Sequence, residues 1–224
     1  MKKILAIIGM AAVAVASVQA QGLVIFGNGS TSRISTNSTT TGLSGLTSAT
    51  AGSFYYALFY STTATSVGGS TAAVSGTSPN YVFEAANAAS WTQVTSLANN
   101  STAGRFLSST ADANGATIVN GLGGGSSASF VVLGWSANLG ANVSALEASL
   151  AATSWTGLAF MGESNVSGLL TAGDGNLIPT PALFGPAAPG MQAFTLGEVT
   201  VPEPGTLALA ALGVSSLLML RRKK

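Results

Sequence analysis

The chain has no cysteine and no histidine in its 224 residues. The first absence removes disulfide staples and thiolate ligands. The second removes the commonest neutral metal ligand and the usual general base. Zinc, haem and iron–sulfur sites of the ordinary kinds cannot be built, and neither can Ser-His-Asp or Cys-His nucleophile arrangements. No cofactor is expected. Charge is the third scarcity: only 7% of residues are Asp, Glu, Lys or Arg, against roughly 25% in an average soluble domain. Of the cations, Lys2, Lys3, Arg221, Arg222, Lys223 and Lys224 lie at the two ends, which leaves only Arg33 and Arg105 between them. They face Glu84, Asp112, Glu147, Glu163, Asp174 and Glu198. A mildly acidic middle without a basic patch cannot neutralise a phosphate backbone, so nucleic acid is excluded as a partner.

What the chain does contain is apolar residues, 47% of the total, with many Ser, Thr and 28 Gly. A core can form, and its surface carries hydroxyls, amides and backbone rather than ions. The length suits one domain between processed ends. At the start, Met1-Lys2-Lys3 precedes an almost wholly apolar run from Ile4 to Val18 and then Gln19-Ala20-Gln21. This is the charged, apolar and small-residue order of a secretory signal peptide over residues 1–20, with cleavage between Ala20 and Gln21. Sec machinery and signal peptidase are the partners it implies. At the other end, Thr206 to Leu220 is apolar apart from two serines. As a helix these fifteen residues rise ~22 Å, short of a ~30 Å hydrocarbon core, a mismatch that snorkelling and local thinning absorb. Arg221, Arg222, Lys223 and Lys224 hold the far end on the cytoplasmic side. Both ends then direct residues 21–200 across the inner membrane.

Val201-Pro202-Glu203-Pro204, a short apolar helix and a terminal Arg/Lys cluster, in that order in residues 201–224, resemble the PEP-CTERM sorting signal of Gram-negative bacteria. The resemblance implies recognition by exosortase, a membrane-embedded cysteine protease-like transpeptidase. It also implies cleavage near the Pro-Glu-Pro motif and delivery of the body to the cell surface or extracellular matrix, where such proteins accompany exopolysaccharide. The chemistry of the motif fits: two prolines block a helix and hold the chain extended just outside the bilayer, a shape an active site can grip. The resemblance covers about a tenth of the chain and is an address shared by unrelated bodies.

The body, residues 21–200, reads mainly as β-structure. Short β-branched or aromatic runs stand between Gly, Ser, Asn and Thr clusters: Leu23–Phe26, Phe54–Tyr60, Tyr81–Phe83, Trp91–Val94, Arg105–Leu107, Thr117–Val119, Phe130–Trp135, Trp155–Met161 and Ala193–Val199. Such spacing indicates an antiparallel β-sandwich or jelly-roll. One helix is expected over Asn142–Ala152, where Asn142 suits an N-cap and Val143, Leu146 and Leu150 share a face. Glu84–Ala89 can form one further turn. Residues 30–50, 62–78 and 121–127 read as loops, and Ile178–Gly190, with four prolines, as an extended lead into the last strand. The run from Phe130 through Trp155–Phe160 to Gln192–Leu196 also looks like uncharacterised PEP-CTERM proteins, a resemblance that brings no activity.

Few residues suggest chemistry. A glycosidase needs only two carboxylates, which Glu84, Glu147, Glu163 or Asp174 could supply, though sparse acids on a nearly uncharged surface usually serve to solvate it. Asp112-Ala113-Asn114-Gly115 and Gly173-Asp174-Gly175-Asn176 have oxygen ligands but not the spacing of a calcium loop, and read as turns. Gly121 to Ser126 is glycine-rich but lacks the lysine of a phosphate loop. Trp135 and Trp155 read as core residues. Trp91, between Ser90 and Thr92, is the candidate glycan contact. The expectation is therefore a non-enzymatic exported protein, structural or adhesive in the envelope or exopolysaccharide matrix. A surface carbohydrate-binding module is the alternative. An ice-binding face and a carboxylate-pair enzyme rank below it.

Overall fold

The computed structural model describes residues 21–78, 80–185 and 189–200. Among these residues the chain is mainly β. Strands β1 (Gln21–Ile25), β2 (Ser35–Asn37), β3 (Ser44–Leu46), β4 (Phe54–Ser61) and β5 (Val74–Ser75) precede a single turn of helix, α1 (Ala85–Ala88). Then come β6 (Thr92–Thr102), β7 (Arg105–Ser108), β8 (Ala116–Gly123) and β9 (Ser127–Ser136). A 3-10 turn (Ala137–Leu139) leads into α2 (Val143–Ala152), followed by β10 (Phe160–Glu163), β11 (Leu170–Thr171) and β12 (Thr195–Glu198). No helix among the described residues is long and apolar enough to cross a membrane. The expected signal helix and the expected transmembrane helix at 206–220 lie outside the described residues.

The main sheet runs β3-β2-β12-β10-β9-β4-β6-β7, with β5 added on β10 and β11 on β9, while β1 and β8 form a separate ribbon. All pairs are antiparallel except β2 with β12. The hub is β4 against β9, paired from Phe54–Ser136 to Ser61–Ser129. Their sequences lack the alternation of a half-exposed strand because both faces are buried, which favours an unbroken apolar run. Tyr56, Leu58, Tyr60, Phe130 and Val132 point to an inner cluster. Ala57, Phe59, Val131, Leu133 and Trp135 point to an outer one.

The inner cluster lies within the curl of the sheet. It takes Leu196 from β12, Val94 and Ala98 from β6, and Val24, Val119 and Leu122 from the ribbon. Phe106 is its aromatic centre, with ring centroids 4.3 Å from Tyr56, 5.4 Å from Phe26 and 5.6 Å from Phe184. The two sheet edges meet at Gly104, in the β6–β7 turn. Its N–H donates to Thr47 O (3.0 Å), and its carbonyl accepts from Ile34 N–H (2.8 Å) and Asn28 Nδ2 (2.9 Å). Gly104 has φ +72°, a conformation costly for side-chain-bearing residues.

The outer cluster is roofed by residues 64–91, the 3-10 turn and α2. Asn142 caps α2 as expected, its Oδ1 accepting from Ala145 N–H at 2.8 Å. Val143 and Leu146 are buried, and Trp135 is tied to the same segment by donating from Nε1 to Gly140 O at 2.7 Å.

Several elements differ from expectation. Tyr81–Phe83 is a turn, not a strand, because Val82 N–H donates to the Glu163 carboxylate at 2.7 Å instead of to a neighbouring strand. Trp155–Ala159 is not strand either, and Asn138 Nδ2 donates to the Thr156 and Leu158 carbonyls there. Two Ser/Thr-rich stretches expected as loops contain β2, β3 and β5.

Candidate functional site

The functional segment indicated by the sequence begins after Thr200, so the site is built from the strand that delivers it. β12 is an interior strand, held between β10 and β2. Its last residue, Glu198, has no cation beside it among the described residues. Instead the hydroxyls of Ser38 (2.7 Å) and Thr40 (2.6 Å) and the Thr40 N–H (2.9 Å) donate to its carboxylate. These donors, the Thr40 hydroxyl foremost, hold the Glu198 carboxyl down at about 2. The 38–41 loop is thereby fastened to β12. Val199 N–H then donates to Ala159 O at 2.8 Å, and Thr200 N–H to Thr77 Oγ1 at 3.2 Å. The chain is thus held to within one residue of Val201. Gln21, expected to follow the signal-peptide cleavage, is exposed and opens β1 opposite Gly123. Ala20, Val201, Pro202, Glu203, Pro204, Arg221, Arg222, Lys223 and Lys224 lie outside the described residues.

Three concavities bear on the site, and the first of them borders this exit. The first, about 190 Å³, is walled by Leu150, Trp155, Met161 and Val199, with Thr77 and Thr200 on its rim. Thr153, at the end of α2, also lines it; a β-branched residue at φ +47° is strained there. The second, about 390 Å³, shares Glu84 and Leu150 with the first and adds Phe83 and Glu147. The third, about 330 Å³, is lined by Tyr60, Ser61, Thr62, Thr63, Ser90 and Thr92, with no charged group.

The expected site residues are distributed unevenly over these features. Trp91, read as a glycan contact, is only 6% exposed. Its rings belong to the outer cluster and its Nε1 donates to Ser66 O at 3.4 Å, so neither face is open for stacking on a sugar. Trp135 is fully buried, whereas Trp155 is half-buried and opens onto the first concavity. Of the four carboxylates, Glu84 and Glu147 share the second concavity. Glu163 is buried beneath Tyr81 and Val82, and loss of hydration raises its carboxyl to about 8. Asp174 closes a turn: its Oδ1 accepts from the N–H groups of Asn176 and Ile178, both at 2.8 Å. Asp112 does the same with Asn114 and Ala116. The glycine-rich run turns β8 into β9, with Ser126 N–H donating to Gly123 O.

Sequence reasoning missed Glu198, Thr40 and Thr77. The only available signal was position: Glu198 is the last acid before the Pro-Glu-Pro motif. Its partner Thr40 lies 158 residues away in sequence, and Thr77 lies 123 residues from Thr200, which it holds, so neither can be inferred from local pattern.

Comparison with known proteins identifies the tail and nothing else. Residues 200–223 match the family model described as the PEP-CTERM protein-sorting motif. No curated protein matches the chain, and no solved structure matches it. The chain therefore carries a PEP-CTERM sorting motif at its C-terminus, as an exosortase substrate does.

Proposed function

We propose that this chain is an exported, non-enzymatic protein whose body is a β-sandwich with a structural or adhesive role at the cell surface or in an exopolysaccharide matrix. Exosortase removes the tail of its membrane-anchored precursor, which has lost residues 1–20 to signal peptidase after passage through the Sec machinery. The sorting motif at residues 200–223 carries this reading. The hold on Glu198, Val199 and Thr200 supports it, since the body is folded up to the residue before the Val-Pro-Glu-Pro motif. The sandwich description rests on the ribbon β1–β8 packing against the curled main sheet through Val24, Val119 and Leu122. In cells that lack exosortase, or with Glu203→Gln or Pro204→Ala, full-length chain should accumulate in the inner membrane. If wild-type chain accumulates there uncut while exosortase is active, the sorting reading fails.

A second reading, a surface carbohydrate-binding module, is favoured by one observation. The third concavity presents Tyr60, Ser61, Thr62, Thr63, Ser90 and Thr92 with no ionic group, a lining suited to a neutral sugar. This lining replaces Trp91 as the basis of that reading. Binding on a glycan array that is lost with Thr92→Val and Ser90→Ala would support it. Glu84 and Glu147 sharing a concavity keeps a carboxylate-pair enzyme testable: reducing-sugar release abolished by Glu147→Gln would establish it.

A further inference from the structure

The geometry points to a second copy of this chain as the partner of β3, paired edge to edge and antiparallel about a two-fold axis at Gly45. The main sheet ends in two strands, β3 and β7. The outer edge of β7 is already covered: Ser108 N–H donates to Phe26 O at 2.9 Å, and Phe106 N–H to Asn28 Oδ1 at 2.8 Å. The outer edge of β3 is not. In its ladder with β2, Ser38 N–H donates to Leu43 O at 2.9 Å and Thr47 N–H to Ile34 O at 3.1 Å. Leu43, Gly45 and Thr47 therefore turn their backbone groups toward β2, and Ser44 and Leu46 turn theirs away from it. Among the described residues no other element hydrogen-bonds to those outward N–H and C=O groups. Natural edges carry devices that repel a further strand, such as lysine, proline or a bulge. β3 carries none of these, and no charged residue occurs between Arg33 and Glu84. Leu43 and Leu46 are 71% and 44% exposed, apolar surface that a docked strand would take out of water. A Cβ on Gly45 would meet nothing within 4 Å, so the approach to its backbone is open.

A second copy fits this edge because the edge is complementary to itself. With the axis at Gly45, Ser44 of each copy pairs with the partner's Leu46, and the two pairs exchange four backbone hydrogen bonds. Gly45 faces the partner's Gly45 in the narrow, non-hydrogen-bonded position between them, where missing side chains allow close approach. A two-fold contact sets like residues near one another, which a charged strip would resist; this strip is uncharged. Three residues make a small contact, well below the roughly 1,600 Å² of a standard interface. The pair is therefore weak and forms as concentration rises. It closes at two because it uses up both edges. The pairing deepens the proposed structural role by naming a partner, and it rests on that reading for its purpose.

The test uses purified full chain in an excess of detergent micelles, without matrix or exosortase, so its failure leaves the surface role and the sorting reading standing. The chain has no cysteine, so one introduced thiol reports one position. Facing Gly45 positions would lie about 4.5 Å apart between Cα atoms, within disulfide reach. Gly45→Cys should form disulfide-linked dimers under mild oxidation several-fold faster than two controls. One is Ser44→Cys, whose image lies on a diagonal beyond reach. The other is Thr62→Cys, exposed but away from the edge. Adding Leu46→Lys to Gly45→Cys should abolish the excess, since lysine guards an edge. Wild-type chain should show the same weak monomer–dimer equilibrium in sedimentation, free of any effect of the substitutions on folding. Equal rates at positions 44, 45 and 62 overturn the pairing, as does linkage that survives Leu46→Lys. Wild-type chain that stays monomeric up to its solubility limit overturns it too.

Discussion

Glu163 illustrates how a single residue can govern stability in a body with so few charges. It is 1% exposed, accepts a hydrogen bond from Val82 N–H, and has its carboxyl raised to about 8 chiefly by burial. Folding therefore favours its protonated form. The stabilisation is fully present below pH ~4.5, the ordinary carboxyl value, and is lost as pH rises through about 8. Over that window each pH unit lowers stability by at most ~1.4 kcal/mol. Glu163→Gln keeps an acceptor for Val82 and cannot ionise, so its melting temperature should stay level between pH 5 and 8 while that of wild type falls; parallel profiles would refute this assignment. Glu198 works in the opposite sense. Its lowered carboxyl contributes above pH ~4.5, and the contribution is lost as pH falls through about 2. Thr117 gives a simpler case. Its buried hydroxyl has no hydrogen-bond partner among the described residues, so Thr117→Val should stabilise the fold by about 1 kcal/mol in denaturant unfolding. A destabilised variant would show that the hydroxyl is satisfied. None of these roles was legible in the sequence, where Glu163 was one of four interchangeable acids. What distinguishes it is the turn at Tyr81–Phe83, a pairing across 81 positions of sequence.

At the scale of elements, legibility followed apolar density. β4, β9 and α2 announced themselves because burial on both faces, or on one helical face, demands apolar residues at every relevant position. β2 (Ser35–Asn37), β3 (Ser44–Leu46) and β5 (Val74–Ser75) did not. They carry Ser, Thr, Asn and Gly at exposed or half-exposed positions and are held by ladder hydrogen bonds to neighbours that the sequence does not identify. The same ladder hides a glycine constraint: a Cβ on Gly162 in β10 would sit 2.5 Å from the backbone oxygen of Thr195 in β12. α2 can be tested on its own terms. Removing its cap with Asn142→Ala should cost about 1 kcal/mol in equilibrium unfolding. No change would mean that the Ala145 N–H finds another acceptor.

The whole molecule joins a legible address to a body whose form depends on long-range contacts. The tail could be read because its three parts are contiguous and each has a local physical job: an extended motif, a short apolar span and an orienting charge cluster. The body could be read as β-rich, but its curl, its closure at Gly104 and the concavity at Thr200 arise from contacts far apart in sequence. The proposed working protein is this body with its tail removed by exosortase. Intact-mass measurement of the chain recovered from the cell surface or matrix tests it most directly. The expected species starts at Gln21, has lost the apolar span and residues 221–224, and is absent from cells lacking exosortase. Recovery at the surface of a chain that still carries Arg221–Lys224, with or without exosortase, would contradict it.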